Sequence, residues 1–365
     1  ARRTVTIENC RPRAEKDLEI YSIEVIDDGG GVFGVQESSL PGQLNDQKHV
    51  ISGDNRSNFV VTFNPPDLKE YTGKLKIESN DETRQEHIVK LTGEGSNNDC
   101  PEAIAKAKVE GGNRLRENIN NTLPLETIVF DGTQSSDPDG SISRFEWSII
   151  DRPEDSTARL TPNANAKKPK LFLDLAGTYK VELVVYDDKS VASCGEQAVV
   201  TIKAIPNEDI HVQLVWDTPG DPDQTDTEGA DLDLHYLNPL AEAWNTSPYD
   251  IFWHNKEADW GVENDKTDDP SLDIDDTNGA GPENVNHNNP QAGRGYTVGV
   301  YYYEAKGFGP SYATVRIYID GKLKKEYPNK FMGGTYEFWK VAVIQWPTKV
   351  IKKRDEKYFN GFPGN

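Results

Sequence analysis

Positive charge is scarce in this chain of 365 residues: 40 Lys and Arg stand against 61 Asp and Glu, a formal net charge of −21 at pH 7. Phosphate backbones would be repelled over most of such a surface, which argues against a nucleic-acid partner. No apolar run approaches the roughly 20 residues that a membrane helix needs, so no transmembrane segment is expected in the sequence. Cysteine is nearly absent. The three residues Cys10, Cys100 and Cys194 match no zinc ribbon and no Cys-x-x-Cys redox spacing. One disulfide plus a leftover thiol is the natural parsing, and it favours an oxidising compartment. Catalytic signatures are missing too: no His-Glu-x-x-His pair or Gly-x-Ser-x-Gly elbow accompanies His235, His254 and His287. Paired carboxylates occur in any acid-rich chain, so none is assigned to glycoside hydrolysis. The chain therefore reads as non-enzymatic. It begins Ala1-Arg2-Arg3 without an initiator Met or an apolar signal core, as expected of a mature or trimmed product that has lost a signal peptide or lipid anchor.

No segment carries a persuasive helical period, whereas period-two alternation recurs along the whole chain. Strands are expected at residues 4–8, 18–25, 59–63, 74–78 and 87–91, then at 211–216, 231–237, 296–303, 313–319 and 336–346. Phe59, Val61 and Phe63 share one face before Pro65-Pro66 ends their strand. Ala313, Val315, Ile317 and Ile319 face one way and Thr314, Arg316 and Tyr318 the other. Polar linkers at 95–99 and 205–207 divide the chain into three parts, in keeping with the size of single cores. The expected fold is all-β: three tandem β-sandwich modules, two Ig-like and one larger, jelly-roll-like, with a long acidic loop. Their boundaries are 1–96, 100–205 and 208–350, with 351–365 as a tail.

The third part holds the chemistry. Asp231 and Asp233 alternate with Leu232, Leu234 and Tyr236, so both carboxylates leave one outer face about 7 Å apart. Asp273 and Asp275 repeat that spacing, and Asp276 opens a turn that leads to Glu283. If this segment folds back on the strand, these carboxylates converge, and their repulsion needs a cation. Hard oxygen ligands in flexible loops suit Ca2+, which takes six to eight oxygens. The alternative is a solvated acidic loop whose Asx residues only shape turns. The upstream stretch from Asp221 to Gly229 lacks the Gly and the terminal Glu of an EF-hand loop. The stretch 238–293 is too long for an ordinary connection and is expected to be functional or disordered. Its Trp253 and Trp260, beside Trp244, Tyr249 and Phe252, either stack on sugars or form a small core beneath the loop.

Three resemblances organise these readings. Residues 58–95, with Tyr71-Thr72-Gly73 and Leu91-Thr92-Gly93-Glu94-Gly95, complete a pattern that resembles the Hydin-type, choice-of-anchor Ig-like module. Asp137-Pro138-Asp139-Gly140, Phe145-Glu146-Trp147 and Gly177-Thr178-Tyr179 through Tyr186-Asp187-Asp188 resemble the PKD (polycystic-kidney-disease) domain. That resemblance makes Trp147, Tyr179, Val181 and Leu183 core residues. It also places Cys100 before the first strand and Cys194 before the last, where the strand starts meet, and so implies a Cys100 to Cys194 disulfide, the alternative being two buried free thiols. Cys10 is then a buried, unreactive thiol. Leu214-Val215-Trp216-Asp217, Ala230 to His235, Asp269-Pro270-Ser271-Leu272-Asp273 and Gly281-Pro282-Glu283-Asn284 resemble the YfaP-type β-sandwich of bacterial surface and secreted proteins. Together they imply a bacterial, extracellular or cell-surface protein for adhesion, assembly or spacing, stabilised by structural Ca2+, with a cell-surface protein or glycan as partner. A carbohydrate- or substrate-binding accessory fragment of a secreted hydrolase is one alternative. The other is a self-associating fibre subunit, in which the basic stretch 349–357 meets an acidic neighbour.

Overall fold

The computed structural model describes residues 2–9, 17–36, 49–51, 56–95, 98–226, 228–277 and 279–363. Cys10, and with it the expectation of a buried thiol, lies outside these residues. Among the described residues every regular element is a strand, and no helix is long and apolar enough to cross a membrane. The chain forms two compact units. One comprises 1–154, 158–173 and 177–204, and the other 155–157, 174–176 and 205–365.

The first unit opens with β1 (Arg2–Glu8), β2 (Leu18–Asp27), β3 (Phe33–Val35), β4 (His49–Ile51), β5 (Arg56–Phe63), β6 (Glu70–Ser79) and β7 (Glu86–Glu94). They form two sheets, β1-β5-β3 and β4-β2-β6-β7. Phe59 and Val61 of β5 project into the core with Ile20, Leu75 and Ile77, as their alternation requires.

A second pair of sheets follows, from β8 (Lys106–Val109), β9 (Asn118–Thr122), β10 (Thr127–Asp131), β11 (Ile142–Asp151), β12 (Leu160–Thr161), β13 (Lys170–Phe172), β14 (Gly177–Asp187) and β15 (Ala198–Ala204). The sheet orders are β12-β13-β10-β8 and β11-β14-β15-β9. Trp147, Tyr179, Val181 and Leu183 are all buried in the core between them. Early and late strands run side by side, since β9 pairs with β15 in parallel. Cys100 and Cys194 are disulfide-bonded, with 5.8 Å between their Cα atoms, and the Cys194 N–H donates to the Pro101 carbonyl.

The second unit contains β16 (Ile210–Asp217), β17 (Asp231–Leu237), β18 (Asp250–Ile251), β19 (Pro270–Ile274), β20 (Glu283–His287), β21 (Arg294–Glu304), β22 (Ser311–Ile319), β23 (Lys322–Met332), β24 (Phe338–Trp346) and β25 (Val350–Tyr358). Two five-stranded sheets, β19-β20-β16-β22-β23 and β18-β17-β21-β24-β25, enclose the largest core of the molecule. Three of these strands, β18 to β20, come from the stretch 238–293. The segment expected to be a tail instead supplies β25, which pairs antiparallel with β24 along most of its length.

Candidate metal centre

β17 is the strand on which the site is built. Leu232, Leu234 and Tyr236 are fully buried in the core, so the alternation places Asp231, Asp233 and His235 on the opposite face. On one edge β17 pairs with β21, where Asp233 lies opposite Tyr301. On the other edge β18 reaches only Tyr236 and Leu237. Residues 231–234 thus lack a strand neighbour there, and a side chain from the other sheet takes its place. Glu283, the first residue of β20, accepts the Leu234 N–H on Oε2 at 2.5 Å.

The residues that lead into β20 complete the site. Asp275 follows the end of β19, and Asp276 closes the next turn by accepting the Gly281 N–H at 2.9 Å. One carboxylate oxygen from each of Asp233, Asp275 and Glu283 lies within 4.8 Å of the other two. Asp231 is close enough for Asp275 and Asp276 to disfavour its charge. Glu283 is 0% exposed and Asp233 3%. Yet Glu283 Oε1, Asp233 Oδ2, Asp231 Oδ1 and Asp275 Oδ1 are buried with no hydrogen-bond partner. Buried polar atoms are almost always partnered, so four orphan oxygens in one place call for a missing positive ligand.

The electrostatics agree. Burial, then Asp231 and Asp275, push the Asp233 carboxyl up to about 8. Burial raises Asp231 to about 6 against the pull of Lys306, with Asp275, Asp276 and Glu304 adding to the rise. Glu283 is raised well above the usual carboxylate range by burial and then by Asp233. Lys256 donates to Asp275 Oδ2 at 3.0 Å, leaving the other oxygen of that carboxylate unpaired. Two lysines at the rim do not balance five acids. Neither is recognisable from sequence, because each reaches the site from a distant segment.

Five of the six expected ligands come together, and Asp273 does not. A bulge sets Leu272 opposite Val285 and Ile274 opposite Asn284, so Asp273 is the extra residue and the two-residue spacing to Asp275 is broken. Asp273 instead accepts from Ser271 and Asn286. The outer face that carries Asp231 and Asp233 is also not open to water. Trp244, Phe252, Phe338 and Phe362 pack around His235 on that face, and His235 Nδ1 lies 2.8 Å from Asp250 Oδ2.

Trp260 is a core residue rather than a sugar platform: it is 4% exposed, stacks on Tyr236 and Tyr296, and donates Nε1–H to the Pro248 carbonyl. Trp253 is 40% exposed, with its ring centroid 6.1 Å from that of Tyr303, which is 43% exposed. In the upstream loop Asp221, Asp223 and Asp226 each accept the backbone N–H two residues on, as turn-forming Asp residues do. No histidine belongs to a metal-holding group among the described residues.

These observations define a multi-domain β-sandwich protein. A family model described as a PKD domain matches residues 116–202, which form part of the second pair of sheets. No curated protein sequence matches the chain. Among solved structures, a nucleoside hydrolase-related hypothetical protein from Saccharophagus degradans associated with carbohydrate metabolism is 18% identical at a TM-score of 0.23, over 29% of this chain and 26% of that one. The fibronectin(III)-like modules of Clostridium thermocellum CbhA are 13% identical at a TM-score of 0.18, over 55% of this chain and 85% of theirs. Human CDH23 EC21-23 is 12% identical at a TM-score of 0.21, over 78% of this chain and 82% of that one. Likenesses this distant say nothing about what the chain binds.

Proposed function

We propose that the chain is a non-enzymatic extracellular binding or scaffolding protein whose third sandwich is locked by Ca2+. Asp231, Asp233, Asp275 and Glu283 would be direct ligands and Asp276 would shape the turn beside them. The observation that carries this reading is the fully buried Glu283 carboxylate, with one oxygen tied to a backbone N–H and the other unpartnered among carboxylates. Four carboxylates from three chain segments match the hard, oxygen-rich coordination Ca2+ takes, and water or carbonyl oxygens would complete six to eight ligands. Bound only by the folded state, the ion would tie the connection between β19 and β20 to β17. The PKD-like domain suits a bacterial cell-surface or secreted setting, and the first and third sandwiches are assigned to the Hydin and YfaP types on the residues quoted above. Equilibrium dialysis followed by elemental analysis tests the ion. A stoichiometric calcium signal that Glu283→Gln removes supports the reading, and a calcium-free wild-type protein overturns it.

The exposed Trp253 and Tyr303 rings favour a second reading, in which this face also stacks on a glycan. Selective retention on a glycan array, lost in Trp253→Ala with no change in melting temperature, is the expected result. An array with no selective signal excludes it.

A further inference from the structure

The third sandwich is electrically polar. Residues 205–319 contain twenty-two acidic and five basic residues, whereas residues 320–358 contain five acidic and ten basic ones. Sheet order turns this division of sequence into a division of space. β23 and β25 are the edge strands at one end of their two sheets, and β19 and β18 are the edge strands at the other. Five strands at about 4.8 Å spacing separate the two ends by roughly 19 Å. That exceeds a screening length of about 8 Å at physiological ionic strength, so the basic end is not neutralised by the acidic end of its own module.

Part of the basic end is internally paired: Lys330 and Lys353 bond Asp355, Lys357 bonds Glu337 and Lys349 bonds Asp320. Lys322 and Lys324 on β23 and Lys352 and Arg354 on β25 are exposed and pair with no carboxylate among the described residues. Lysines on edge strands also discourage strand-to-strand pairing between molecules. That effect rules out sheet extension as the mode of contact and leaves side-chain electrostatics.

We propose that this basic edge is an interaction surface for a second copy of the chain, docking on the acidic edge that carries the connections around β18 and β19. The partner follows from charge complementarity, since the acidic edge of the same module supplies the complementary face. Because the two faces differ, the contact is head-to-tail and propagates into a filament or closes into a ring. It is independent of the cation reading, as none of the four basic residues lies in that site.

Sedimentation velocity of the full chain at low and high salt tests this. Two charge-reversal variants accompany the wild type: Lys322→Glu with Lys324→Glu, Lys352→Glu and Arg354→Glu, and separately Glu257→Lys with Glu263→Lys, all at exposed positions. The wild type is expected to self-associate at low salt and dissociate at high salt. Each variant alone is expected to associate about tenfold or more weakly, and an equimolar mixture of the two to regain complexes. A wild type that stays monomeric at low salt overturns the proposal, as does a variant that associates unchanged. A monomeric wild type that binds heparin through the same four residues assigns the face to a polyanion and also overturns it.

Discussion

The PKD-like sandwich and the third sandwich both bury carboxylates, and they treat them in opposite ways. Asp187 is 0% exposed, and its Oδ1 accepts the Lys189 and Val191 N–H groups while Oδ2 accepts from Asn98. Asp131 is similar. Burial raises its pKa, but Lys168, then the Thr133 hydroxyl and N–H, outweigh that and hold it below the usual carboxylate value. Asp233 and Glu283 are as deeply buried, yet each leaves an oxygen with no donor and their neighbours are further acids. A buried carboxylate that has its donors is a fixed part of the fold, whereas a cluster of such groups without donors is a seat for a cation. Charge density in the sequence does not separate the two cases, but donor count in the structure does.

Three expected outcomes sharpen or break that contrast. The largest concerns the disulfide, which closes a loop of 94 residues in the PKD-like sandwich. Removing it with Cys100→Ala and Cys194→Ala is expected to cost about 4 kcal/mol in that sandwich and to leave the response of the third sandwich to Ca2+ unchanged. Denaturant unfolding with and without EGTA reads both. Next, Asp187→Ala strips acceptors from two backbone N–H groups, at an expected cost of about 2–3 kcal/mol that is the same with Ca2+ and with EGTA. A calcium-dependent cost there would erase the distinction between the two regions.

The smallest effect is on pH. Folded Asp231 sits at about 6 and Asp233 at about 8, against about 3.9 in an unfolded chain. Between those values the folded state holds more protons, so the metal-free protein is expected to lose stability as pH rises from about 4 to about 8. Melting curves in EGTA across that window check the sign. Rising stability over the same range contradicts it.

Much of this was legible in residues alone. The alternation that defines β17 reads directly from Asp231 to Leu237, and the disulfide followed from the PKD pattern. Other features were hidden for stated reasons. Parity assigns Asp231 and Asp233 to the face opposite the core, but parity carries no information on whether that face is covered, and here aromatic side chains bury it. The bulge at Asp273 is set by pairing with β20, a partner far along the chain, so the spacing Asp273 to Asp275 misleads. β23 and β25 read as polar because edge strands need few apolar residues, and Pro328 sits within β23 as edge strands tolerate.

One comparison of melting temperatures bears most directly on the cation seat: wild type against Glu283→Gln, each in Ca2+ and in EGTA. The amide keeps an oxygen for the Leu234 N–H and removes one buried charge. If the seat holds Ca2+, the variant melts at or above the wild type in EGTA and below it in Ca2+. Equal destabilisation in both conditions would make Glu283 an ordinary structural residue and contradict a cation seat.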